Sequence, residues 1–377
     1  MKPPIYLDYN ATTPILPEAL DAMLPHLRDG FGNPSSDHAF GHGARAAVDR
    51  ARERVAAFLG CDPDEVIFTS GGTEANNLAI RGVAEAAGNR RHLVTTAIEH
   101  PATANPCAWL GRHGWRVTHA GVDQNGVTRA GDVRSALSPD TALVTVMHSN
   151  NETGVLQPVR EIAEWAHAAG AIVHTDAAQS IGKVRFTVRE LGVDLLSVAG
   201  HKVYAPKGVG ALYVRRGTSI VPFALGASHE RGLRPGTENV ASIAGLGAAL
   251  ERIGSDLESS AARMRALRDE LWDLLRSRIP GIALNGHPDL RLPNTLSVRF
   301  PGVSARPLLE RVPQVAASAG SACHAGEDVP SSVITAMGVA PEAAVGSIRL
   351  TLGRPTTQQD IHDAADALAM GWAALRV

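Results

Sequence analysis

Two apolar segments of this chain end in residues that carry chemistry. Val173-His174-Thr175-Asp176 closes on a carboxylate, and Ser197-Val198-Ala199-Gly200-His201-Lys202 closes on a lysine. A lysine amine forms a Schiff base with an aldehyde, and a carboxylate beside a pyridine nitrogen lets the ring act as an electron sink. Together they meet the needs of a pyridoxal phosphate enzyme. An acid and a lysine at strand ends are common, so the pair gains its force from what surrounds it. Val198, Ala199, Val203 and Tyr204 mark a packed environment for Lys202, and burial lowers an amine's pKa and makes it a usable nucleophile and base. Asp176 stands at a strand's carboxyl end, where α/β sheets bind ligands, although aspartate also serves as a helix N-cap. His174 reads as a satisfied interior histidine.

Further segments add to the pair. Phe68-Thr69-Ser70-Gly71-Gly72-Thr73-Glu74 runs from a strand through glycines into a helix. The N–H groups at the helix start, with the Thr73 hydroxyl, can hold a phosphate; an ordinary capped helix reads equally well. His100, in Glu99-His100-Pro101, can stack on a ring and move a proton near neutral pH, against the plainer reading of a structural histidine. Asn151, in Asn150-Asn151-Glu152-Thr153-Gly154, offers an amide to a cofactor hydroxyl, or a turn. Cys323 lies in the small, polar, glycine-rich run Ser318–Asp328 beside His324, a setting for a reactive thiol, whereas Cys61 and Cys107 read as packing residues. Arg349 alternates with apolar residues on a strand, so it can clamp a carboxylate or form a structural ion pair. The histidines show no HExxH and no Cys/His ligand spacing, which argues against a metal site.

The elements that position these groups follow an alternating pattern. Strands are expected at 66–69, 92–96, 115–119, 142–147, 171–175, 194–198 and 210–214. Helices are expected at 45–59, 74–86, near 102–112 and at 159–169. Such alternation implies an α/β layered domain with a mostly parallel sheet. A long helical pattern from Val240 to Arg278 breaks at Gly254 and stops at Pro280-Gly281. Strand-like pieces at 294–300 and 347–352, with helices between and after, suggest a smaller α+β domain. The expected division is 15–255 for the large cofactor-binding α/β domain and 1–14 with 256–377 for the small one, which carries the Cys323 loop.

Composition bounds the rest. At 377 residues, 44% hydrophobic and 20% charged, the chain suits one large and one smaller globular unit. A net charge of −2 and the lack of a dense Lys/Arg run argue against a nucleic-acid partner. No apolar run reaches the length of a membrane span, and residues 1–10 lack the apolar core of a signal peptide. The three cysteines form no CxxC and leave one over from any pairing, which fits reduced thiols in a cytoplasm.

Over nearly its whole length the chain resembles the class V aminotransferase family, and within it the cysteine desulfurases and the related selenocysteine lyases. The resemblance rests on Tyr6-Leu7-Asp8-Tyr9-Asn10-Ala11-Thr12-Thr13-Pro14, Gly32-Asn33-Pro34-Ser35-Ser36, the Thr69–Glu74 and Asn150–Gly154 runs and the Asp176 and Lys202 segments. It extends through His229-Glu230-Arg231-Gly232-Leu233-Arg234-Pro235-Gly236-Thr237-Glu238-Asn239, Gly320-Ser321-Ala322-Cys323 and Arg349-Leu350-Thr351-Leu352-Gly353-Arg354. It implies a fold type I homodimer with one pyridoxal 5'-phosphate per subunit, held by Gly72, Thr73, Asn151, Asp176, Gln179, His201 and Lys202, with His100 on the ring. Thr237 matches a threonine that reaches the other subunit's phosphate, and Asn33 and Arg349 match the groups that hold the substrate carboxylate. Cys323 matches the catalytic cysteine. L-cysteine is then the substrate, with its sulfur passed as a persulfide to an acceptor protein for iron–sulfur clusters or other thio-cofactors. Ala199 departs from the family's phosphate-contacting serine, and Ser228 from a glycine. The pair Cys323-His324 is like that of selenocysteine lyases, whereas Pro101 stands where a selenocysteine-specific enzyme has aspartate; selenocysteine lyase is therefore the alternative activity.

Overall fold

The computed structural model describes residues 3–319 and 329–376. Its larger sheet has seven strands: β2 (Val66–Thr69), β3 (His92–Thr96), β4 (Arg116–Ala120), β5 (Thr141–Thr145), β6 (Ile172–Asp176), β7 (Leu195–Ala199) and β8 (Gly210–Val214), following a short β1 (Ile5–Tyr6) that lies outside it. Their spatial order is β2-β8-β7-β6-β5-β3-β4. β8 runs antiparallel to both of its neighbours, and the other pairings are parallel. This is the mostly parallel α/β sheet expected from the alternating pattern. Strands β2, β3, β5 and β7 are buried at every position, the signature of a sheet covered on both faces.

Alternate side chains of each strand feed different cores. Val66 and Phe68 of β2, Val144 of β5 and Leu196 of β7 pack with the helices Ala39–Leu59, Val159–Ala168 and Val240–Gly254. Ile67, Leu143 and Leu195, each one residue removed, pack on the other face with Gly72–Ala86 and Pro101–Arg112. Two glycines let the β2 turn approach its neighbour. Gly71 has φ +152°, and a Cβ at Gly210 would stand 2.5 Å from Val198 O and 2.7 Å from Gly71 Cα.

A second sheet, antiparallel, has the order β12-β13-β10-β9 and is built from β9 (Ala283–Leu284), β10 (Thr295–Arg299), β12 (Ser318–Ala319) and β13 (Ser347–Thr351). β11 (Val315–Ala316) pairs in parallel with β1. The core beneath draws on Leu271 and Leu275 of the helix Leu257–Arg278, Leu296, Leu350, Leu368 and, from the N-terminal segment, Leu7. That segment crosses into this sheet at the Asp8–Thr351 bridge.

Element positions match the sequence expectation closely, with instructive exceptions. The helix expected at 45–59 begins earlier, at Ala39, because His38 Nδ1 accepts from the Gly41 N–H as an N-cap and two early glycines hide the helical pattern. The helix Pro17–Arg28 had no sequence counterpart. Asp176 caps no helix: turns follow it, and its Oδ1 accepts from the Ala178 N–H at 2.9 Å.

Candidate active site

β2, β3, β5, β6 and β7 all point their carboxyl ends to one edge of the large sheet, and the chemistry-bearing residues leave from that edge. Asp176 is the last residue of β6, and Lys202 closes the 3-10 turn Gly200–Lys202 directly after β7. β6 and β7 are neighbours, with Asp176 registered against Ser197, so the sheet itself brings acid and amine together. Gly72 and Thr73 open the helix after β2, His100 caps the helix Pro101–Arg112 after β3, and Asn151 sits in the turn after β5.

These side chains line one cavity of about 200 Å³: Gly72, Thr73, His100, Asn151, Asp176, Gln179, His201 and Lys202 all border it, with Asn76, Ser149 and Ala199. A wider cleft of about 630 Å³ continues from it, sharing His100, Asn151, Gln179 and Lys202 and adding Glu99, Glu152, Ser331 and Arg349. The sheet edge thus makes an inner chamber, and the smaller sheet closes one side of its mouth. Asn33 and Thr237 border neither space. Both are exposed, and the Asn33 Oδ1 accepts from the nearby Ser35 N–H at 2.9 Å. Cys323 lies outside the described residues.

Within the chamber the polar groups are oriented by their partners. Asp176 Oδ2 accepts from Asn76 Nδ2 at 2.7 Å. His100 Nδ1 accepts from the Ala102 N–H at 3.1 Å, so the neutral ring carries its proton on Nε2. Burial is the main cause that holds His100 below the usual imidazole range, and the Lys202 charge adds to it. His201 is pushed to about 4, mainly by burial and then by neighbouring lysines; its backbone carbonyl accepts from the Thr13 N–H and hydroxyl. His174 is an interior histidine with both nitrogens occupied, by Thr145 Oγ1 at 2.8 Å and Ser197 Oγ at 3.0 Å.

Lys202 donates from Nζ to the Asn10 carbonyl. Burial, then the Arg349 charge, lowers its amine to about 8. An amine titrating there has an appreciable neutral fraction at physiological pH, which both a nucleophile and a general base require. Arg349 donates from Nη2 to Asp8 Oδ1 at 2.8 Å and from Nη1 to Asn151 O at 2.9 Å, while its buried Nε has no partner among the described residues. The structural ion pair considered for Arg349 is therefore present, and it leaves Nε and further Nη protons for an anion at the cleft.

Asn10 is the residue that sequence reasoning quoted only within a motif. It is fully buried, and each of its polar groups is used. Its N–H donates to Thr351 Oγ1, its carbonyl accepts from Lys202 and Gln179, its Oδ1 from Lys183 and Asn294, and its Nδ2 donates to Thr295 and Asn151 O. Glu99 and Glu152 were also passed over. Burial raises them to about 8 and about 7 respectively. A buried acid directly preceding His100 was visible in the sequence, but its burial was not.

The model of the aminotransferase class-V family matches residues 5–363. A cysteine desulfurase IscS of Dictyoglomus turgidum is 44% identical over 371 residues, covering 98% of this chain and 94% of the relative. A cysteine desulfurase of Gluconacetobacter diazotrophicus is 45% identical over 368 residues, covering 97% and 92%. Among solved structures, a NifS-like protein superposes with a TM-score of 0.92 at 35% identity, covering 97% of this chain and 98% of that one. SspA in complex with cysteine gives 0.83 at 37%, covering 93% and 99%. A family match over nearly the whole length, joined to relatives of this identity, means that the chain belongs to the aminotransferase class-V family.

Proposed function

We propose that the chain is a pyridoxal 5'-phosphate-dependent cysteine desulfurase that converts L-cysteine to L-alanine and passes the sulfur to an enzyme cysteine. The observation that carries this reading is the single chamber in which a buried amine at about 8, an oriented carboxylate and a ring-bearing histidine meet at a glycine-opened helix start. Such residues suit the cofactor. Lys202 offers the aldehyde-binding amine, Asp176 the partner for a pyridine nitrogen, His100 a ring to stack, and Gly72 with Thr73 an N-terminal helix turn for phosphate. Asn76 Oδ1 and Ser149 Oγ, of residues that line the chamber, are buried without hydrogen-bond partners among the described residues, as expected where a polar ligand belongs. Ala199 Cβ would lie 3.2 Å from a Cβ at Gly72; it supplies no hydroxyl there, so the helix start and Thr73 carry more of the phosphate.

Pyridoxal phosphate, when bound, supplies the electron sink that makes the substrate Cα acidic. The chain's residues do the rest. Arg349 holds the substrate carboxylate through its remaining N–H groups; Asn33, exposed and bordering neither space in its own chain, is given no step. The Lys202 amine takes the Cα proton, and His100 Nε2 exchanges a proton with the substrate thiol. The Cys323 thiolate attacks the substrate sulfur: a sulfur–sulfur bond forms and the carbon–sulfur bond breaks toward carbon; a proton added at Cβ and the Cα proton returned by Lys202 complete alanine. The products are alanine and a persulfide on Cys323, with no external oxidant or reductant. Thr237 is proposed to act on the phosphate of a second copy, in a homodimer, which agrees with its exposure away from its own chamber. Delivery to an acceptor protein, for iron–sulfur or other thio-cofactors in the cytoplasm, completes the proposal; among the described residues no helix is long and apolar enough to cross a membrane.

The test is incubation of the cofactor-loaded enzyme with L-cysteine, scoring alanine and the mass of the peptide that contains Cys323. Alanine in step with a one-sulfur mass gain supports the proposal. Alanine formed from selenocysteine but not from cysteine moves the assignment to selenocysteine lyase, and alanine from neither sinks it.

A further inference from the structure

Lys202 has a task in this reading, but a second buried lysine does not. Lys183 lies one helical turn's distance beyond Gln179 and is only 6% exposed. Its Nζ donates to Gln179 Oε1 at 2.9 Å and to Asn10 Oδ1 at 3.1 Å. Among the described residues its hydrogen-bonded partners are these two neutral amide oxygens, with no carboxylate. Burying an amine without a countercharge is costly, and burial with the nearby Lys202 and Arg349 charges holds Lys183 well below the usual lysine range. As ammonium or as amine it still has protons enough for both oxygens.

A lysine that donates to an amide oxygen decides which way that amide points. Because Oε1 of Gln179 faces Lys183, Nε2 faces the opposite way and donates to the Asn10 carbonyl at 3.0 Å, on the wall of the chamber. The same holds one amide deeper. Asn10 Oδ1 takes protons from Lys183 and Asn294, so Asn10 Nδ2 turns to Thr295 Oγ1 at 3.0 Å and the Asn151 carbonyl at 3.4 Å. The Asn10 carbonyl that receives Gln179 also receives Lys202. Without Lys183, a flipped Gln179 would set its oxygen against that carbonyl and show an acceptor to the chamber where a donor now stands.

We propose that Lys183 is a positioning residue of the active site, fixing the amide orientation of Gln179 and Asn10 so that the chamber meets an N–H from Gln179 and Lys202 rests on the Asn10 carbonyl. The inference rests on the cofactor reading above. Lys183 borders neither the chamber nor the cleft and acts through the two amides.

A double-mutant cycle tests it. Wild type, Lys183→Met, Gln179→Ala and the double variant are stripped of cofactor and titrated with pyridoxal phosphate. The visible band of the bound cofactor, its dissociation constant and the thermal midpoint of each cofactor-free protein are recorded. Lys183→Met is expected to bind the cofactor about 10-fold more weakly and to shift the band, the size of effect expected for losing one well-placed buried hydrogen bond. In the Gln179→Ala background the same change should cost clearly less, about threefold at most, because only the Asn10 amide is left to orient. Equal losses in both backgrounds overturn the proposal, as does a lowered thermal midpoint with an unchanged dissociation constant and band. A Lys183→Met chain that does not fold is replaced by Lys183→Gln, which keeps one amide donor and should recover part of the affinity; no recovery counts against the proposal. Lys202→Ala separates the two readings. A wild-type band that does not depend on Lys202 sinks the cofactor reading and this proposal together, while a Lys202-dependent band with an unaffected Lys183→Met sinks this proposal alone.

Discussion

The carboxyl edge of the seven-stranded sheet and the smaller antiparallel sheet treat polar groups differently. Along the large sheet's edge, Glu99 Oε2, Thr103 Oγ1, Asn76 Oδ1 and Ser149 Oγ are buried without partners among the described residues. In the small sheet the interior polar groups close on one another: Asn285 Nδ2 donates to Ser297 Oγ at 3.1 Å and Ser347 Oγ at 3.2 Å. Arg349 is the exception there, with an unpartnered Nε, and it is the residue that this sheet sends to the cleft. Buried groups are normally paired, so unmet ones mark places kept for something else. Arg278 and Arg291 also carry buried unpartnered nitrogens, away from the cleft, and nothing in their packing explains them. Among the described residues, one region is a scaffold with open valences; the other is a closed sheet that sends one arginine to the cleft.

The sharpest way to break this contrast is to remove the amine at the scaffold's edge. Lys202→Ala is expected to abolish alanine formation while the protein stays folded and still binds pyridoxal phosphate, checked by circular dichroism and cofactor titration. An active variant would contradict the division of labour. Next, Cys323→Ser should keep cofactor binding but form no alanine from cysteine above background, whereas substitutions of Cys61 and Cys107 leave turnover largely unchanged. Both of those thiols are pushed up to about 12, mainly by burial, which disfavours the reactive thiolate. Desulfuration at the wild-type rate by Cys323→Ser would end the persulfide mechanism.

Changing the arm should act on binding more than on chemistry. Arg349→Met removes a charge-assisted pair to the substrate carboxylate, so KM for cysteine is expected to rise by about 10- to 100-fold with a smaller fall in kcat. Steady-state kinetics decide it, and a loss confined to kcat would assign Arg349 another role. The smallest effect concerns Glu99, whose folded pKa lies near 8, above its ordinary carboxylate value, because of burial. The folded state binds the proton more tightly than the unfolded chain. Glu99 therefore makes stability fall as pH rises from the unfolded carboxylate range through about 8. Glu99→Gln should flatten that fall, raising the thermal midpoint at pH 8.5 relative to pH 5 when compared with wild type; a parallel pair of curves would show that Glu99 is charged.

Legibility in the sequence followed the range of the interactions. β2, β3 and β8 were readable to the residue because a short apolar run bounded by glycine or polar residues is a local signal. Helix Pro17–Arg28 was missed, since its half-exposed face blurs the apolar period. Among site residues, Asp176 and Lys202 announced themselves by ending apolar strands. Asn10 and Lys183 did not, because a buried amide and a buried lysine look like surface residues until the chain around them is packed.

Residue type and local periodicity alone determined the layered α/β class, the acid and the lysine at strand ends, the glycine-opened helix and the family resemblance. Those follow from preferences expressed within a few residues. Tertiary structure alone decided that β6 and β7 are neighbours, that one chamber gathers five separate strand ends, and that the N-terminal Asn10 sits between Lys202, Gln179 and Lys183. It also decided the charge states, because the shifts of Lys202, Glu99 and His100 come from burial and from charges distant along the chain.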